Sequence, residues 1–236
     1  MRPSGAINAS PVDMANFIRF FVNDASADSI RLLSSLSLTT METPRTTAAA
    51  RAGVETGYAL SNYTSYQNEF LFHGHNGGVN GGVANLSYNR DLKVGYAVMI
   101  NSGNGAGLNE ISNKIARYLT KDFTKPKTQI KTVATNRFDG IYYAVNPRQQ
   151  MTYFLERLFS FKRITSDDSL VYFADYPFGT PSEFKPVIDT LALGSVGKVS
   201  LAVAKDPLIG EVITTGQRVY APITSFHILF RWVFAG

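Results

Sequence analysis

The strongest constraint on the fold lies between residues 57 and 101, where apolar residues recur at the spacing of β-strands. Short runs of this kind, separated by turn-forming residues, predict paired strands. "GYALSNY" and "NEFLFHG" predict an antiparallel pair across "TSYQ", and "GVANLSYN" and "KVGYAVMIN" predict a second pair joined at "NRDL". The sequence therefore predicts an antiparallel sheet in the first half of the chain.

The last of these runs is apolar on both faces. One face carries Val94, Tyr96, Val98 and Ile100, and the other carries Ala97 and Met99. A strand with one solvent-facing side alternates between apolar and polar residues, and this run does not. It is therefore predicted to be an interior strand that is covered on both sides.

A helical pattern precedes the predicted sheet. Ser10 is a suitable N-cap, Pro11 fits the first turn, and Asp13 stands where the capping carboxylate belongs. Apolar residues then follow at helical spacing: Met14, Phe17, Ile18 and Phe21. "DSIRLLSSL" predicts a second, short helix, and residues 39–56 predict a loop.

A further helix is predicted after "NSGNG", from the spacing of Leu108, Ile111, Ile115 and Leu119. Helices that cover an antiparallel sheet give an α+β fold. The first domain is accordingly assigned to residues 1–122, and residues 123–137, which are charged and aperiodic, are assigned to a basic linker.

The second half of the chain predicts a small β domain over residues 138–225, built as a partly closed barrel with one helix. Its strand candidates are "FDGIYYAVN", "SFKRIT", "LVYFAD", "KVSLAVAK" and "QRVYAPI". Its helix is predicted in "QQMTYFLERLF" from the spacing of Met151, Phe154, Leu155 and Leu158. Residues 226–236 form an apolar tail that either packs on the core or leads to a membrane segment.

Charge and composition exclude several classes of function. The chain has no cysteine, which removes disulfides, thiolate nucleophiles and cysteine zinc sites. Of the net charge of +5, +4 lies in residues 121–137, whereas a nucleic-acid-binding surface spreads its charge along a face. We expect no nucleic-acid partner, no signal peptide at the N-terminus and no bilayer-spanning run in the sequence.

The stretch "FLFHGHNGGVNGG" contains two of the three histidines, His73 and His75. On a strand the two side chains would point the same way and could share a zinc ion, but the third histidine, His227, is distant in sequence and Glu69 is the only carboxylate nearby. A phosphate loop would need a following helix, and a strand follows instead. The stretch is therefore either a glycine-rich turn or the rim of an active site.

The surroundings of this stretch resemble a known family. Gly5, Ser10, Asp13 and Phe17 resemble a segment of the serine β-lactamase and penicillin-binding-protein superfamily, in its class C β-lactamase, esterase and D-amino-peptidase branch. "GYAL" and "HGHNGGVNGGVANLSYNRDLKVGYAVMINSGNG" are similar to the next motifs of that family, in the same order. "FDGIYYAVNPRQQMTYFLERL" is similar to the start of β domains appended to larger serine hydrolases, some of which continue into membrane helices.

The resemblance implies which residues form the active site. A Lys/His-x-Gly triplet lines one wall of the site in this family, and the matching residues here are His75, Asn76 and Gly77. The amide of Gly78 would be an oxyanion donor. His75 would bind a substrate carboxylate or assist proton movement. The resemblance implies no cofactor and no metal, and the partner would be a small-molecule or peptide substrate.

The nucleophile of the family is missing from its expected place. Its Ser-x-x-Lys and Tyr-x-Asn motifs precede the triplet, whereas the matches here, "SVGK" (195–198), "YQN" (66–68) and "SYN" (87–89), are chance matches. We therefore expect a fragment of a β-lactamase-like serine hydrolase that is inactive alone. The alternative is a non-catalytic, hydrolase-derived binding or scaffold module of the cell envelope.

Three expectations follow about the surroundings of the protein. The family suggests the bacterial periplasm or the outer face of the cytoplasmic membrane. A membrane attachment beyond the C-terminus would suit the apolar tail. A truncated sheet exposes an edge, so the chain is also expected to form a homodimer.

Overall fold

A computed structural model describes residues 8–27, 30–126, 131–146, 156, 158–195, 197–216 and 218–228. The chain divides into two compact units. The first comprises Met1–Pro44 and Tyr58–Lys127, and the second comprises Arg45–Gly57 and Thr128–Gly236. The fold is α+β, with an antiparallel sheet and a closed eight-stranded β-barrel.

The first unit is built on a five-stranded sheet. Its strands run in chain order, so that each strand neighbours the next along the sequence. They are β3 (Gly57–Tyr58), β4 (Tyr63–Gln67), β5 (Phe70–Val79), β6 (Gly82–Asn89) and β7 (Val94–Ile100). A separate two-stranded sheet is formed by β1 (Ser26–Ala27) and β2 (Ile30–Arg31).

Two helices cover opposite faces of the sheet. Helix α1 (Pro11–Val22) starts with the predicted capping box of Ser10 and Asp13, and its Phe21 ring stacks on Tyr88 with the ring centroids 4.6 Å apart. Helix α4 (Gly105–Leu119) buries Ala116 against Phe70, Phe72 and Tyr96. The hydrophobic periodicity of both segments predicted these helices correctly, but Phe17 and Ile111, which belong to the predicted apolar faces, are 47% and 41% exposed.

The predicted pairing of β6 with β7 is also correct, but the position of β7 is not. Within the described part of the chain β7 pairs only with β6, so it lies at the edge of the sheet. Its two faces are nevertheless covered, because Ala97 packs towards α1 and Val98 packs towards α4. Two-sided burial produced the apolar pattern, and this pattern does not report whether a strand has one neighbour or two.

The first hairpin does not have its turn where the sequence predicted it. "TSYQ" is not a turn but part of β4, which pairs with β5 from Gln67↔Phe70 to Tyr63↔Gly74. The turn falls at Asn68 and Glu69, whose φ angles of 48° and 74° are those of a tight two-residue hairpin turn. Asparagine tolerates this left-handed conformation, but glutamate gives no such signal in the sequence.

The segment between α1 and the sheet also differs from the prediction. "DSIRLLSSL" is not a helix: Ile30–Arg31 form β2, and α2 runs instead from Ser35 to Glu42. The Ser34 side chain accepts a hydrogen bond from the Ser37 amide and so sets the start of the helix. Residues 39–56 are not all loop, because they contain the end of α2 and the short helix α3 (Ala48–Arg51).

Arg45–Gly57 belong to the second unit, in contrast to the predicted first domain of residues 1–122. The physical reason is a small apolar cluster in which Ala49 and Val54 are buried against Ala202 of the barrel. A run rich in alanine and threonine shows no strong periodicity, so its packing partner was not evident from the sequence.

The barrel of the second unit is closed, not partly closed. Each strand pairs with the next, and the last pairs with the first. The strands are β8 (Gly140–Ala144), β9 (Phe161–Ser166), β10 (Val171–Tyr176), β11 (Ser182–Ile188), β12 (Leu191–Leu193), β13 (Val199–Asp206), β14 (Gly210–Thr214) and β15 (Val219–Ile223). The sequence did not predict β11, which contains Pro186, β12, which has only three residues, or β14.

The barrel core is filled by side chains, as expected for eight strands. Phe138, Ile164, Val171 and Leu201 have no solvent exposure. Of the predicted helix around residues 149–159, Met151, Phe154 and Leu155 lie outside the described residues, whereas Leu158 is described and buried. Residues 229–236 of the apolar tail also lie outside them. No helix among the described residues is long and apolar enough to span a bilayer.

Candidate functional site

The outer half of β5 has a free edge. Strand β4 stops pairing with β5 at Gly74, whereas β6 continues to pair with it as far as Val79↔Gly82. Residues 75–79 therefore pair with β6 along one edge, and along the other edge they have no strand partner among the described residues. All four residues that the sequence predicted for the site, His75, Asn76, Gly77 and Gly78, lie on this half-strand.

The register fixes which peptide groups point out of the free edge. A two-residue turn flanks β5 at each end. The residues on either side of each turn, Gln67↔Phe70 and Val79↔Gly82, pair directly through two backbone hydrogen bonds. Even-numbered residues of β5 therefore turn their N–H and C=O groups away from β6. The Gly74 amide confirms this direction, because it donates to Asn62 Oδ1 at 2.7 Å. The amides of Asn76 and Gly78 consequently point outward from the sheet.

The glycines of β5 differ in what the fold requires of them. A Cβ on Gly74 would lie 1.9 Å from the carbonyl oxygen of Leu86, so the pairing with β6 demands glycine there. A Cβ on Gly77 would meet nothing within 4 Å, and one on Gly78 would meet only Val83 Cγ1, at 3.7 Å. The described fold has no need of glycine at positions 77 and 78.

His75 is held by two hydrogen bonds. Its Nδ1 lies 2.5 Å from the carbonyl oxygen of Asn76, which can only accept, so the neutral ring carries its proton on Nδ1. Its Nε2 lies 2.8 Å from the hydroxyl of Tyr58, which therefore donates to it. Tyr58 and His75 form a dyad at the free edge. Sequence analysis did not predict the role of Tyr58, because a contact across 17 residues leaves no local pattern.

His73 has a different environment from His75. Its ring packs against Tyr88 with a centroid distance of 5.8 Å, and its Nδ1 is buried without a hydrogen-bond partner. Burial, and then the nearby Arg90 charge, lower the pKa of His73 to about 4. Within the described residues no group of three or more His, Cys, Asp or Glu side chains is placed to hold a metal ion.

A buried polar network supports β5 from the α1 side of the sheet. Asn62, which is 4% exposed, accepts from the Gly74 amide and donates to the Tyr88 hydroxyl at 2.7 Å. Glu42 is equally buried and forms an ion pair with Arg90 at 3.3 Å. Desolvation raises the pKa of Glu42, partly offset by the Arg90 charge. Asn62 thus fixes β5 where the free edge begins, and nothing local in the sequence indicated this.

The three chance matches to the nucleophile motifs lie in turns and strands of both units. Ser195 is in the turn after β12, and Lys198 directly precedes β13, in the second unit. Tyr66 belongs to β4 and Asn68 to the turn that follows it. Ser87 is buried in β6, where its hydroxyl accepts from Gln67.

Comparisons with known proteins give only distant similarity. No protein-family model matches the chain, and no curated protein sequence matches it. Among solved structures, the chain is similar to SurE, with a TM-score of 0.46, 17% identity, and coverage of 91% of this chain and 48% of that one. SurE with D-Leu gives 0.44, 17%, 91% and 50%.

A third similar structure is the octameric penicillin-binding protein homologue from Pyrococcus abyssi. Its TM-score is 0.38 and its identity 15%, over 89% of this chain and 46% of that one. The chain therefore spans about half the length of each of these three solved structures.

Proposed function

We propose that His75–Gly78 form one wall of an acyl-transfer site in a β-lactamase-like serine hydrolase, of which this chain is the C-terminal part. The observation that carries the proposal is the pair of glycines on the free edge of β5. Their own fold does not require them, and a strand glycine without a structural role marks a place where another molecule approaches the backbone closely.

The Gly78 amide suits the role of an oxyanion donor. It points out of the sheet and is not used in the pairing with β6, so it is available to an incoming carbonyl oxygen. A fixed backbone N–H stabilises the negative charge that develops on that oxygen during acyl transfer. Because neighbouring Gly77 also lacks a side chain, an extended substrate can lie against this edge.

His75 suits the position that lysine or histidine takes in the family. Its Nε2 accepts the Tyr58 hydroxyl, so the ring can take up a proton there while the Asn76 carbonyl holds Nδ1–H. The dyad would move a proton to or from the reacting group, or its protonated form would bind a substrate carboxylate. In either role the ring acts from the same strand as the outward amide of Gly78.

The nucleophile would come from sequence that precedes this chain. We expect no turnover of nitrocefin or nitrophenyl esters by the 236-residue chain itself, because a serine needs an adjacent base to attack. Saturable hydrolysis by the purified chain would contradict the fragment proposal. Amide or ester specificity, and a cell-envelope location, remain predictions of the resemblance.

The decisive experiment uses the reading frame upstream of Met1. A Ser-x-x-Lys motif there, together with hydrolysis by the protein expressed from the whole frame, would support the enzyme. In that protein Gly78→Pro removes one N–H without removing a bond to β6, and should lower kcat by about 10²–10³-fold. Unfolding of the variant within about 1 kcal/mol of wild type is the control for an intact sheet.

A whole reading frame without Ser-x-x-Lys and without hydrolysis would overturn the enzyme proposal. The chain would then be a non-catalytic binding or scaffold module derived from a hydrolase. An active enzyme in which Gly78→Pro keeps the wild-type rate would retain the family but would remove Gly78 from the oxyanion site.

A further inference from the structure

A polar pocket lies on the face of the sheet that α4 covers, next to the outer half of β5. Its volume is about 270 Å³, and tyrosine, serine and amide side chains of β4, β5, β6 and α4 line most of it. We propose that this pocket binds one neutral, polyhydroxylated ring, such as a single sugar. The pocket shares Asn76 with the free edge, but the inference does not depend on acyl transfer.

The side chains at the floor of the pocket are joined by a continuous chain of hydrogen bonds. Tyr63 donates to Asn85 at 3.1 Å, and Asn85 donates to the hydroxyls of Tyr96 at 3.3 Å and Ser112 at 3.2 Å. Tyr96 in turn donates to Gln67 at 2.7 Å. These groups satisfy one another, so the floor is held in one arrangement before any ligand enters.

The walls of the pocket carry polar side chains that remain unused. Ser65, Asn76, Asn109 and Asn113 line the pocket, and their side chains form no hydrogen bond with other described residues. Asn109 and Asn113 are four residues apart on α4 and so lie on the same face of the helix. The polar groups without a hydrogen-bond partner therefore line the pocket from three elements, β4, β5 and α4.

The chemistry of these free groups selects the ligand. An asparagine amide or a serine hydroxyl is both a donor and an acceptor. The matching ligand group is one that also donates and accepts, which is a hydroxyl. Several such groups around one space favour a molecule with several hydroxyls over one with a single carbonyl or amine.

The charge and size of the pocket narrow the class further. None of the described side chains that line it is charged. A carboxylate, phosphate or ammonium group would lose its hydration there without gaining a counter-ion, which is costly. Pockets for drug-sized ligands begin at about 300 Å³, so this one takes a single ring.

The test is an NMR titration of the full chain with three sugars that differ at one substituent. Glucose is neutral, glucosamine carries an ammonium group, and glucuronic acid carries a carboxylate. We expect glucose to shift the amide resonances of Asn76, Asn109 and Asn113 with a Kd on the order of millimolar, as the ligand efficiency of a molecule of about twelve non-hydrogen atoms suggests. Each charged sugar should bind about tenfold more weakly or worse.

A double variant and a matched control separate the pocket from the rest of the helix. Asn109→Ala with Asn113→Ala removes two ligand contacts, and because alanine favours helix the fold should be kept. Its affinity for glucose should fall about tenfold or more. Lys114→Ala, an exposed neighbour on α4 that does not line the pocket, should bind as wild type.

Three outcomes would overturn the inference. The first is the absence of any glucose-dependent shift up to about 100 mM, a concentration well above the expected Kd. The second is equal or tighter binding of a charged sugar. The third is unchanged glucose affinity in the double variant when its amide spectrum shows an intact fold.

Discussion

Alanine substituted singly at Gly74, Gly77 and Gly78 tests the distinction on which the proposed site depends. At Gly74 the new Cβ would lie 1.9 Å from the Leu86 carbonyl oxygen, so β5 and β6 must separate by roughly 1 Å before that contact becomes tolerable. At the other two positions the new Cβ finds open space or an ordinary contact. We expect the sign of the stability change to differ between the two groups.

The magnitude follows from the hydrogen bonds that the separation would break. His75 and Leu86 face each other as a directly bonded pair, and the Gly74 amide donates to Asn62. Loss of these three bonds, at about 1 kcal/mol each, predicts destabilisation by about 3 kcal/mol for Gly74→Ala. Gly77→Ala and Gly78→Ala should stabilise the sheet by about 0.4–1 kcal/mol, because alanine restricts the unfolded chain.

Urea unfolding followed by the amide resonances of β5, β6 and β7 gives the measurement for this unit alone. The three variants must share the wild-type dependence on urea for their midpoints to be compared. Destabilisation of more than about 1 kcal/mol by Gly77→Ala or Gly78→Ala would refute the reasoning. These glycines would then serve the fold, and their presence would no longer indicate close approach by a ligand.

Three further predictions concern the buried network and the sheet edge. Because the pKa of His73 is lowered to about 4 in the folded chain and is near 6.5 in the unfolded one, stability present above pH 6.5 is lost as the pH falls to 4. The unfolding free energy of wild type should fall by about 3 kcal/mol more than that of His73→Gln over this interval; parallel curves would contradict it. Asn62→Ala removes the acceptor of the Gly74 amide and the donor to the Tyr88 hydroxyl, which keeps its hydrogen bond with Glu42, and should cost about 1–3 kcal/mol in chemical unfolding. A cost below about 0.5 kcal/mol would mean that the Gly74 amide does not depend on Asn62. β7 has no charged residue or proline to protect its edge, so size-exclusion chromatography of the wild type should show a dimer. The variant Met99→Lys, which places a charge on this strand, should elute as a monomer. A monomeric wild type would contradict this prediction.

Local patterns were sufficient for some elements of the first unit. The capping pair Ser10 and Asp13 predicted the start of α1, because a capping box is formed by residues three apart in the chain. Apolar spacing predicted α4, and two short strand-like runs joined by a turn region predicted the β6–β7 hairpin. Each of these signals arises within a few residues, so no knowledge of the tertiary fold was needed.

Other features depend on partners that are distant in sequence. Strand pairing gave β7 its edge position, and packing on the barrel placed Ala49 and Val54 in the second unit. In the barrel, β11 contains Pro186 and β12 has only three residues, so neither carries a strand pattern of its own. Closure with neighbouring strands makes them strands.

The candidate site also combines features that a local pattern indicates with features that depend on residues distant in sequence. The sequence by itself singled out His75, Asn76, Gly77 and Gly78 through the resemblance to a family motif, but it left open whether they lie in a glycine-rich turn or line an active site. Only the tertiary structure decided that β4 stops pairing with β5 at Gly74, that β5 continues as a strand to Val79, and that Tyr58 holds His75. These features depend on strand register and on contacts across the sheet. A register shift of one residue would turn each side chain of the strand to the opposite face and would change them all.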